Sequence, residues 1–405
     1  MDKPLHRNRD FILLQLGQLL SAFGSASTTI AYPLLVLAVT HSAAKAGIVA
    51  FARTIPLALL ALPAGLAADR LSRKQLLVGA DAVRAVAIGL LAFLVLEHHV
   101  PFWTIPAVAF AEGAAGAVFN AALPGALRAV VPRRQLPAAI STQVGRTAIV
   151  QLTGPPAGGA MFGVSRALPF VADAASYLCS IVALLLMRTP FQEERARNGS
   201  PLRTQLTEGL RFLWQNPFLR LTALIFALGN FVGSGLLFSV VVIAHRHGLS
   251  GGVVGALAAS FGIGLLFGSL VSPFVRRRLP MRTVLVLEFW TWLGCGTFLV
   301  WPSPYVLAAS LVPCAVAIPC TDSLVHAIRI AITPDHLLGR AESVRQTIVL
   351  TVAPLGPLTA GIVLGAGSER AAIAVLFAGA VAMLAWSMLS PALRNAPSLA
   401  DLEPS

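Results

Sequence analysis

Ionisable side chains inside long apolar segments are the residues most able to do chemistry in this sequence. Glu112 lies near the middle of one such segment, Arg53 lies in another, and Asp322 and His326 stand one helical turn apart in a third. Charged groups are costly away from water and mark functional positions where they occur. A pair formed by Arg53 and Glu112 could exchange the arginine for a proton, so these four residues are predicted as candidates for reversible proton binding. A static ion pair is the alternative interpretation.

The other ionisable residues in apolar segments suggest structural roles. Asp81 and Arg84 are three residues apart near the end of their segment, and we expect an ion pair between them and the adjacent basic loop. Asp173 lies close to the end of its segment, where a carboxylate commonly caps a helix. Arg146 is near enough to a segment end for its guanidinium to reach the surface. Glu288 also lies within an apolar segment and is a functional candidate on that ground alone, without a predicted partner.

The segments that position these residues have the length of membrane spans. The chain has 405 residues, of which 56% are hydrophobic and 12% charged, whereas a water-soluble protein has about a quarter of its residues charged. Runs of about 20 apolar residues can cross the hydrocarbon core and must be helical there. The sequence therefore predicts an all-α membrane protein with twelve transmembrane helices. The runs lie near residues 11–39, 44–68, 75–96, 102–127, 138–163, 168–187, 219–244, 252–275, 282–301, 304–328, 342–366 and 370–391.

The distribution of basic residues predicts the orientation of the spans. Of the 30 Lys and Arg residues, only Lys45, Arg166, Arg246 and Arg370 fall in the loops that alternate with the strongly basic ones. Because basic loops stay on the cytoplasmic side, both termini are expected to be cytoplasmic, in a bacterial cytoplasmic membrane. The net charge of +13 is then explained by lipid headgroups as partners, and no nucleic-acid partner is expected.

The chain is predicted to consist of two related halves. The expected domains are an N-terminal six-helix bundle at residues 1–187, a cytoplasmic linker at 188–218, a C-terminal six-helix bundle at 219–391 and a cytoplasmic tail at 392–405. A shift of 202 residues places Gly154 and Pro155 on Gly356 and Pro357. A shift of 208 residues likewise matches the basic cluster after the second run with the one after the eighth. Such internal repeats are typical of secondary transporters.

A motif after the second run resembles the signature of the major facilitator superfamily. The stretch Gly-Leu-Ala-Ala-Asp-Arg-Leu-Ser-Arg-Lys at residues 65–74 is similar to the superfamily's G-x-x-x-D-[RK]-x-G-R-[RK] pattern, with Ser72 where glycine is usual. The resemblance implies a latch that holds the two halves together on the cytoplasmic side, with the start of the eleventh span as its docking point. Positive-inside charge alone is the alternative. The latch residues would be Gly65, Asp69, Arg70, Arg73 and Lys74.

A second motif resembles one found in the exporters of this superfamily. Gly154, Pro155, Gly158 and Gly159 in the fifth run match the core of the G-P-x-x-G-G pattern, although the upstream glycines of that pattern are absent. Other stretches, such as 51–56, 173–178 and 208–213, look like the branch that contains siderophore (enterobactin-type) and macrolide or drug exporters. This resemblance implies export. The branch often carries an acidic residue on its first helix, where this chain has Ser25.

The predicted function is secondary active export of a small amphipathic molecule, such as a drug, siderophore or other secondary metabolite. Transport would proceed by alternating access in exchange for protons. An importer or lipid-moving transporter on the same scaffold, or a non-transporting membrane receptor, is the alternative. Polar residues of the first run recur at helical spacing and are candidates for lining a cavity, or for helix–helix hydrogen bonds. They are Gln18, Ser21, Ser25 and Thr28.

The sequence gives no indication of enzymatic chemistry. It contains no Gly-Lys-Ser/Thr phosphate loop and no His-Glu-x-x-His metal motif. The four cysteines lie in apolar runs without the spacing of metal ligands, so no metal and no cofactor are expected. The expected partners are the small-molecule substrate, protons and membrane lipids, and the protein is expected to be monomeric.

Overall fold

The computed structural model describes residues 5–189, 191 and 202–394, and this part of the chain is built from helices and turns without strands. Short 3-10 turns precede α1, precede α6 and follow α11. The helices are α1 Arg9–Thr40, α2 Ala43–Leu59, α3 Ala61–Arg70, α4 Arg73–Leu96, α5 Thr104–Val130, α6 Leu136–Val164, α7 Leu168–Leu186, α8 Leu202–Gln215, α9 Pro217–Arg246, α10 Gly251–Arg278, α11 Met281–Trp292, α12 Thr297–Val300, α13 Pro304–Ile332, α14 Asp335–Val352, α15 Leu355–Gly365, α16 Glu369–Leu389 and α17 Pro391–Arg394.

The helices have the dimensions of membrane spans. Within the described residues, ten helical segments are long and apolar enough to cross a membrane, two of which, Met281–Val300 and Leu337–Gly365, combine consecutive helices, and the bent pair α2 and α3 makes an eleventh. Helix α6 has 29 residues and occupies the fifth predicted run, although Gln143, Arg146 and Gln151 lower its hydropathy. The predicted all-α membrane class is confirmed.

The second predicted run is divided into two helices. Residues 44–68 read as one apolar run, but α2 ends at Leu59 and α3 begins at Ala61 with a bend of 50°. Pro63 explains the break, because a proline in the first turn of α3 cannot donate a hydrogen bond to Leu59 and its ring crowds that carbonyl. Helices α14 and α15 are also separated at Ala353 and Pro354, but together they form one span without a comparable bend.

The chain forms two compact units. One comprises Met1–Ala196 together with Ala244–Ala259, and the other comprises Arg197–Ile243 together with Ser260–Ser405. In the first unit, α1 packs against α6 and α7, α4 packs against α5 and α7, and α2 packs against α5. In the second unit, α11 packs against α13 and α16. The domain boundaries at 188–218 stay a prediction.

The start of α1 is fixed to the rest of the first unit by polar contacts. Asn8 caps α1 by accepting a hydrogen bond from the backbone N–H of Phe11, and its amide donates to the carbonyl of Val130 at 2.9 Å. Asp10 accepts from the hydroxyl and the backbone N–H of Thr189. These contacts satisfy otherwise unpaired groups at the helix end and hold α1 beside the ends of α5 and α7.

Small residues allow α1 in the first unit and α9 in the second unit to approach a partner helix closely. Ser27 of α1 donates to the carbonyl of Gly154 in α6 at 3.2 Å, and Gly158 lies against the backbone of Ser27. In the second unit, Ser234 of α9 donates to the carbonyl of Ala353 at 2.7 Å, and Gly356 lies against the backbone of Phe231. The two Gly-Pro sites that the 202-residue shift aligns therefore make the same kind of contact in their own units.

Replacing Gly158 by alanine is expected to destabilise the first unit. A Cβ at this position would overlap the backbone of Ser27, and forcing an extra methyl into a packed interface costs about 1–3 kcal/mol. Gly163→Ala on the same helix is the matched control, because nothing lies within 4 Å of its Cβ position. Thermal unfolding of the detergent-solubilised variants measures the difference. Equal unfolding temperatures would contradict the proposed close contact.

In the second unit, the polar stretch between the predicted halves ends in an amphipathic helix. Helix α8 packs along α14, where Glu208 forms an ion pair with Arg340 and Gly209 lies against the backbone of Arg340. On α14 itself, Glu342 accepts from Arg345, and it also pairs with Arg329 at 3.1 Å. These ion pairs attach α8 and the end of α13 to α14.

Candidate functional site

The first unit contains a buried ion pair between Arg53 of α2 and Glu112 of α5. The guanidinium contacts both carboxylate oxygens, with Nη2 at 2.7 Å from Oε1 and Nε at 3.1 Å from Oε2. Glu112 is 5% exposed, and the side chain of Arg53 is 18% exposed. Two parallel N–H···O bonds are the strongest arrangement of these two groups and fix their relative orientation. The structure thus brings together two of the four residues predicted for proton coupling, whereas their role stays a prediction.

Two tyrosines complete the environment of Glu112. Tyr32 of α1 donates to Oε2 at 3.0 Å, and Tyr177 of α7 donates to Oε1 at 3.4 Å. Ser25 of α1 lies 2.8 Å from the hydroxyl of Tyr177. The carboxylate therefore has donors from three other helices. Such a network compensates a buried charge only while all of its members are in place.

Neither tyrosine was predicted to belong to the site. The chain has only three tyrosines, and two of them bond to Glu112. A hydroxyl within an apolar run needs a partner when it is buried, which is the signal that could have identified them. Tyr32 also packs edge-on against Phe170 and faces the guanidinium of Arg53, 5.3 Å from its ring.

Arg53 has further acceptors on α1. Its Nη1 donates to Thr29 Oγ1 at 2.6 Å, and its Nη2 donates to the carbonyl of Ser25 at 3.0 Å. Thr28 Oγ1 lies 3.3 Å from Nη2. Residues 25, 28, 29 and 32 recur at intervals of three and four and so lie on one face of α1. Ser25 and Thr28 were predicted to line a cavity, and here they contact the ion-pair site.

Asp173 is part of this site, and its predicted role as a helix cap is wrong. Helix α7 begins at Leu168 after Ala167, so Asp173 lies a full turn inside it. The side chain is fully buried and accepts from Thr28 Oγ1 at 2.9 Å. Gly24 makes this contact possible, because a Cβ there would overlap Asp173. Among the described residues, no cation lies within ion-pair distance of Asp173.

Asp81 and Arg84 pair with each other on α4. Their atoms Oδ1 and Nη1 are 3.3 Å apart, which is the contact that i,i+3 spacing favours. The predicted pairing with the basic loop is therefore wrong. The guanidinium of Arg84 lies over the rings of Phe119 and Tyr177, at 5.0 and 5.4 Å. This cation–π stacking joins the pair to the Glu112 site through Tyr177.

The residues of the predicted latch separate into buried and exposed members. Arg73 is buried and donates to the carbonyl of Phe191 at 3.1 Å, and Lys74 donates to the carbonyl of Met187 at 2.8 Å. Asp69 and Arg70 are exposed, and Gly65 has open space at its Cβ position. Ser72, which stands where the superfamily has glycine, is the N-cap of α4. The latch role and its docking point stay predictions.

The candidates in the second unit do not form a pair. Asp322 and His326 are both exposed, and His326 Nδ1 lies 2.6 Å from Nη2 of Arg329 rather than from a carboxylate. Arg329 in turn pairs with Glu342. The two residues share a face of α13, as their spacing requires, but no hydrogen bond joins them.

The remaining predicted residues lie in close helix contacts of the first unit. Gln18 and Ser21 are buried on α1. Gly159 of α6 lies against the carbonyl of Gly251, and Gly255 lies against the carbonyl of Pro155. The Gly-Pro motif is therefore the place where α6 contacts both α1 and the beginning of α10. This contact agrees with the general use of small residues between membrane helices.

The hydrogen bond from Tyr32 is expected to contribute measurably to stability. Tyr32→Phe keeps the ring packing but removes one donor to Glu112, and a hydrogen bond to a charged group contributes about 1.5–3 kcal/mol. Tyr305→Phe is the matched control, since Tyr305 is 53% exposed. Chemical unfolding in detergent measures the free energy of each variant. If the free energy of unfolding falls as little for Tyr32→Phe as for Tyr305→Phe, the hydrogen bond from Tyr32 to Glu112 does not contribute as the structure indicates.

Comparisons with known proteins agree with this architecture. A family model described as transmembrane secretion effector matches residues 3–405. The multidrug efflux pump Tap of Mycolicibacterium fortuitum is 28% identical over 373 residues, which cover 86% of this chain and 88% of that protein. Macrolide efflux protein A of Streptococcus pyogenes is 22% identical over 401 residues, which cover 97% of this chain and 95% of that protein.

Solved structures show the same fold. A bacterial homologue of the human lysosomal transporter Spinster superposes with a TM-score of 0.75 at 17% identity, over 98% of each chain. The nucleoside transporter NupG superposes with a TM-score of 0.73 at 14% identity, over 94% of this chain and 98% of that one. The match to the family model covers nearly the whole chain, and the predicted superfamily is confirmed. This multi-pass membrane protein belongs to the major facilitator superfamily of transporters, within the family of transmembrane secretion effectors.

Proposed function

We propose that this transporter exports small amphipathic molecules, drugs among them, across the bacterial cytoplasmic membrane in exchange for protons. The names of its relatives, a multidrug efflux pump and a macrolide efflux protein, support export and this class of substrate. The basic loops support an orientation with both termini in the cytoplasm. The observation that carries proton exchange is the buried pair of Arg53 and Glu112.

The charges around Arg53 favour reversible proton binding over a static ion pair. Two buried carboxyl groups face this one guanidinium, since Glu112 contacts it directly and Asp173 is connected to it through Thr28. A single cation compensates only one negative charge, and a second unpaired charge in an apolar interior is strongly unfavourable. One of the two carboxyl groups therefore carries a proton, and Arg53 pairs with the other.

The exchange follows from this geometry. When a proton binds Glu112, the carboxyl loses its charge and the Coulomb attraction to Arg53. Asp173 then releases the proton that it carried while Glu112 was ionised, and Arg53 pairs with the resulting carboxylate, which lies on the other side of Thr28. These two pairings differ in which helix, α5 or α7, holds the guanidinium of α2. When Arg53 changes its partner from Glu112 to Asp173, α2 is held to α7 and no longer to α5. A proton can thus favour one of two helix arrangements, which is the requirement for coupling protons to transport.

Uptake into inverted membrane vesicles tests the proposed function. Vesicles that contain the protein and have an acidic lumen should accumulate a radiolabelled macrolide and a lipophilic cationic dye, because inverted vesicles turn export into uptake. A protonophore should release both probes. Vesicles from cells without the protein are the control. Accumulation that persists after the gradient is removed would contradict proton exchange, and accumulation only in right-side-out vesicles would contradict export.

A further inference from the structure

A second buried carboxyl group lies in the other unit and is not explained by the Arg53 site. Glu288 of α11 is 4% exposed. Its carboxyl faces Thr321 of α13, and Trp292 lies one turn further along α11 with its indole N–H 3.5 Å from Oε1. Among the described residues, no Lys, Arg or His lies within ion-pair distance of Glu288. Its environment therefore differs from that of Glu112, which has Arg53.

The Thr321 hydroxyl has one hydrogen, so it cannot donate a full hydrogen bond to each of the three oxygens around it. Thr321 Oγ1 lies within hydrogen-bond distance of three oxygens, namely Oε2 of Glu288, the carbonyl of Ile318 at 2.9 Å and the carbonyl of Ala317 at 3.3 Å. A hydroxyl has one hydrogen to donate and two lone pairs that accept. The backbone carbonyls can only accept. If the hydroxyl donates to one of them, the contact with Glu288 needs a hydrogen from Glu288 itself.

Within the described part of the chain, the other groups around Glu288 place no cation at its carboxyl, since Arg276 of α10 acts on Cys320, and Arg329 and Arg345 act on Asp322. On α13, the neighbours of its carboxyl are the acidic Asp322 and the thiols of Cys314 and Cys320. Helix α16 has no ionisable side chain between residues 371 and 389, and α9 has none between 221 and 244. On α11 itself, the nearest ionisable residue is Arg282, six positions away. An ionised Glu288 would thus be a buried charge without a counter-ion, next to a second carboxyl group.

We propose that Glu288 is a protonated carboxyl that donates a hydrogen bond to Thr321. It thereby provides a second proton-binding site of this transporter, in the second unit, whereas Arg53 and Glu112 lie in the first. In this arrangement Oε2 of Glu288 carries the hydrogen, and the hydroxyl of Thr321 donates a hydrogen bond to the carbonyl of Ile318. The other carboxyl oxygen, Oε1, accepts from the indole N–H of Trp292. Every polar atom of the carboxyl then has a partner without any cation. The second part of the proposal rests on the proposed proton-coupled function, whereas the protonation itself does not.

Helix α11 is suited to respond to the charge of Glu288. A 3-10 turn at Leu293–Gly296 interrupts the helix directly after Trp292, and such turns within helices commonly mark hinges. The ring of Trp292 packs against Gly233 of α9, and Gly296 packs against Phe377 of α16. Loss of the proton would reverse the hydrogen bond, so that Thr321 donates to the carboxylate and no longer to the carbonyl of Ile318, and would place a charge near Asp322. The hinge lies next to the group whose charge changes.

Infrared difference spectroscopy of the purified protein tests the protonation directly. The spectrum of the wild type at neutral pH should contain the C=O band of a protonated carboxyl that is missing in Glu288→Gln. Thr321→Val removes the hydrogen-bond acceptor, so the same band should persist at a shifted position. Asp173→Asn is the control and should leave this component unchanged. The proposal would be overturned if the difference between the wild-type and Glu288→Gln spectra contained carboxylate bands but no band of a protonated carboxyl. An unshifted band in Thr321→Val would also overturn it.

Proton release on ligand binding tests the second part. Tetraphenylphosphonium has no ionisable group, so every proton released when it binds comes from the protein. In weakly buffered detergent solution, Glu288→Gln should release about one proton per molecule fewer than the wild type, because its amide has no proton to give. Equal release would remove Glu288 from coupling. Since the infrared measurement needs no ligand, a failure of drug export would leave its result intact, and the reverse also holds.

Discussion

Replacing Glu112 by glutamine is expected to abolish export driven by a pH gradient while the protein remains in the membrane. The amide can still accept from Arg53 and Tyr32, but it cannot exchange a proton at neutral pH. The substitution also leaves Arg53 without the negative charge of its partner. Breaking a buried pair in this way costs about 3–5 kcal/mol, so a lower unfolding temperature is expected as well. Vesicle uptake and thermal unfolding measure the two effects separately.

A double variant separates proton exchange from a static ion pair. Arg53→Gln combined with Glu112→Gln removes both charges, and deletion of a complete buried pair is often nearly neutral for stability. We therefore expect the double variant to recover much of the unfolding temperature that Glu112→Gln loses. Proton-driven export should stay absent, because the titrating carboxyl is still missing. A double variant that regains both stability and proton-driven export would show that the pair is only structural.

The second large effect is expected for Gly113→Ala. A Cβ at this position would overlap the carbonyl oxygen of Arg53 and approach the ring of Pro56, so α5 and α2 would have to separate. The separation acts next to Glu112, where the two-point contact with Arg53 depends on a few tenths of an ångström. We expect about 1–3 kcal/mol of lost stability from overpacking, together with a strong loss of proton-driven export.

Gly89→Ala on α4 is the matched control for this variant. Nothing lies within 4 Å of its Cβ position, and alanine is the better helix former by about 1 kcal/mol. Its export rate should equal that of the wild type and its unfolding temperature should not fall. Unfolding in detergent and uptake in vesicles provide the comparison. If Gly113→Ala behaves like Gly89→Ala, the close approach of α2 and α5 does not hold the ion pair.

The positions of the helices could be predicted well because lipid imposes a simple rule on the sequence. Each predicted apolar run corresponds to helix in the described structure, as for the run at 102–127 and α5 at Thr104–Val130. The breaks could not be predicted from prolines alone. Pro33 and Pro124 lie inside continuous helices, whereas Pro63 accompanies a bend of 50°. Whether a proline interrupts a helix depends on the neighbouring helices that compensate the missing hydrogen bond.

The candidate site could be predicted only in part. Glu112 and Arg53 are recognisable because a charge in an apolar span is rare and needs a partner. Asp173 was assigned to the end of its span because its position along the chain is close to a turn. Its actual partner, Thr28, becomes apparent only when α1 packs against α7. Tyr32 and Tyr177 were missed because a tyrosine in an apolar run is compatible with lipid, core and polar contacts alike.

The proton movement that accompanies substrate movement tests the central claim most directly. The purified protein can be reconstituted into proteoliposomes that contain a pH-sensitive dye, and a labelled macrolide can be added on one side. For the wild type, we expect the internal pH to change as protons move against the substrate, and we expect no such change for Glu112→Gln. Substrate flux at the wild-type rate without any change of internal pH would contradict proton exchange at Glu112.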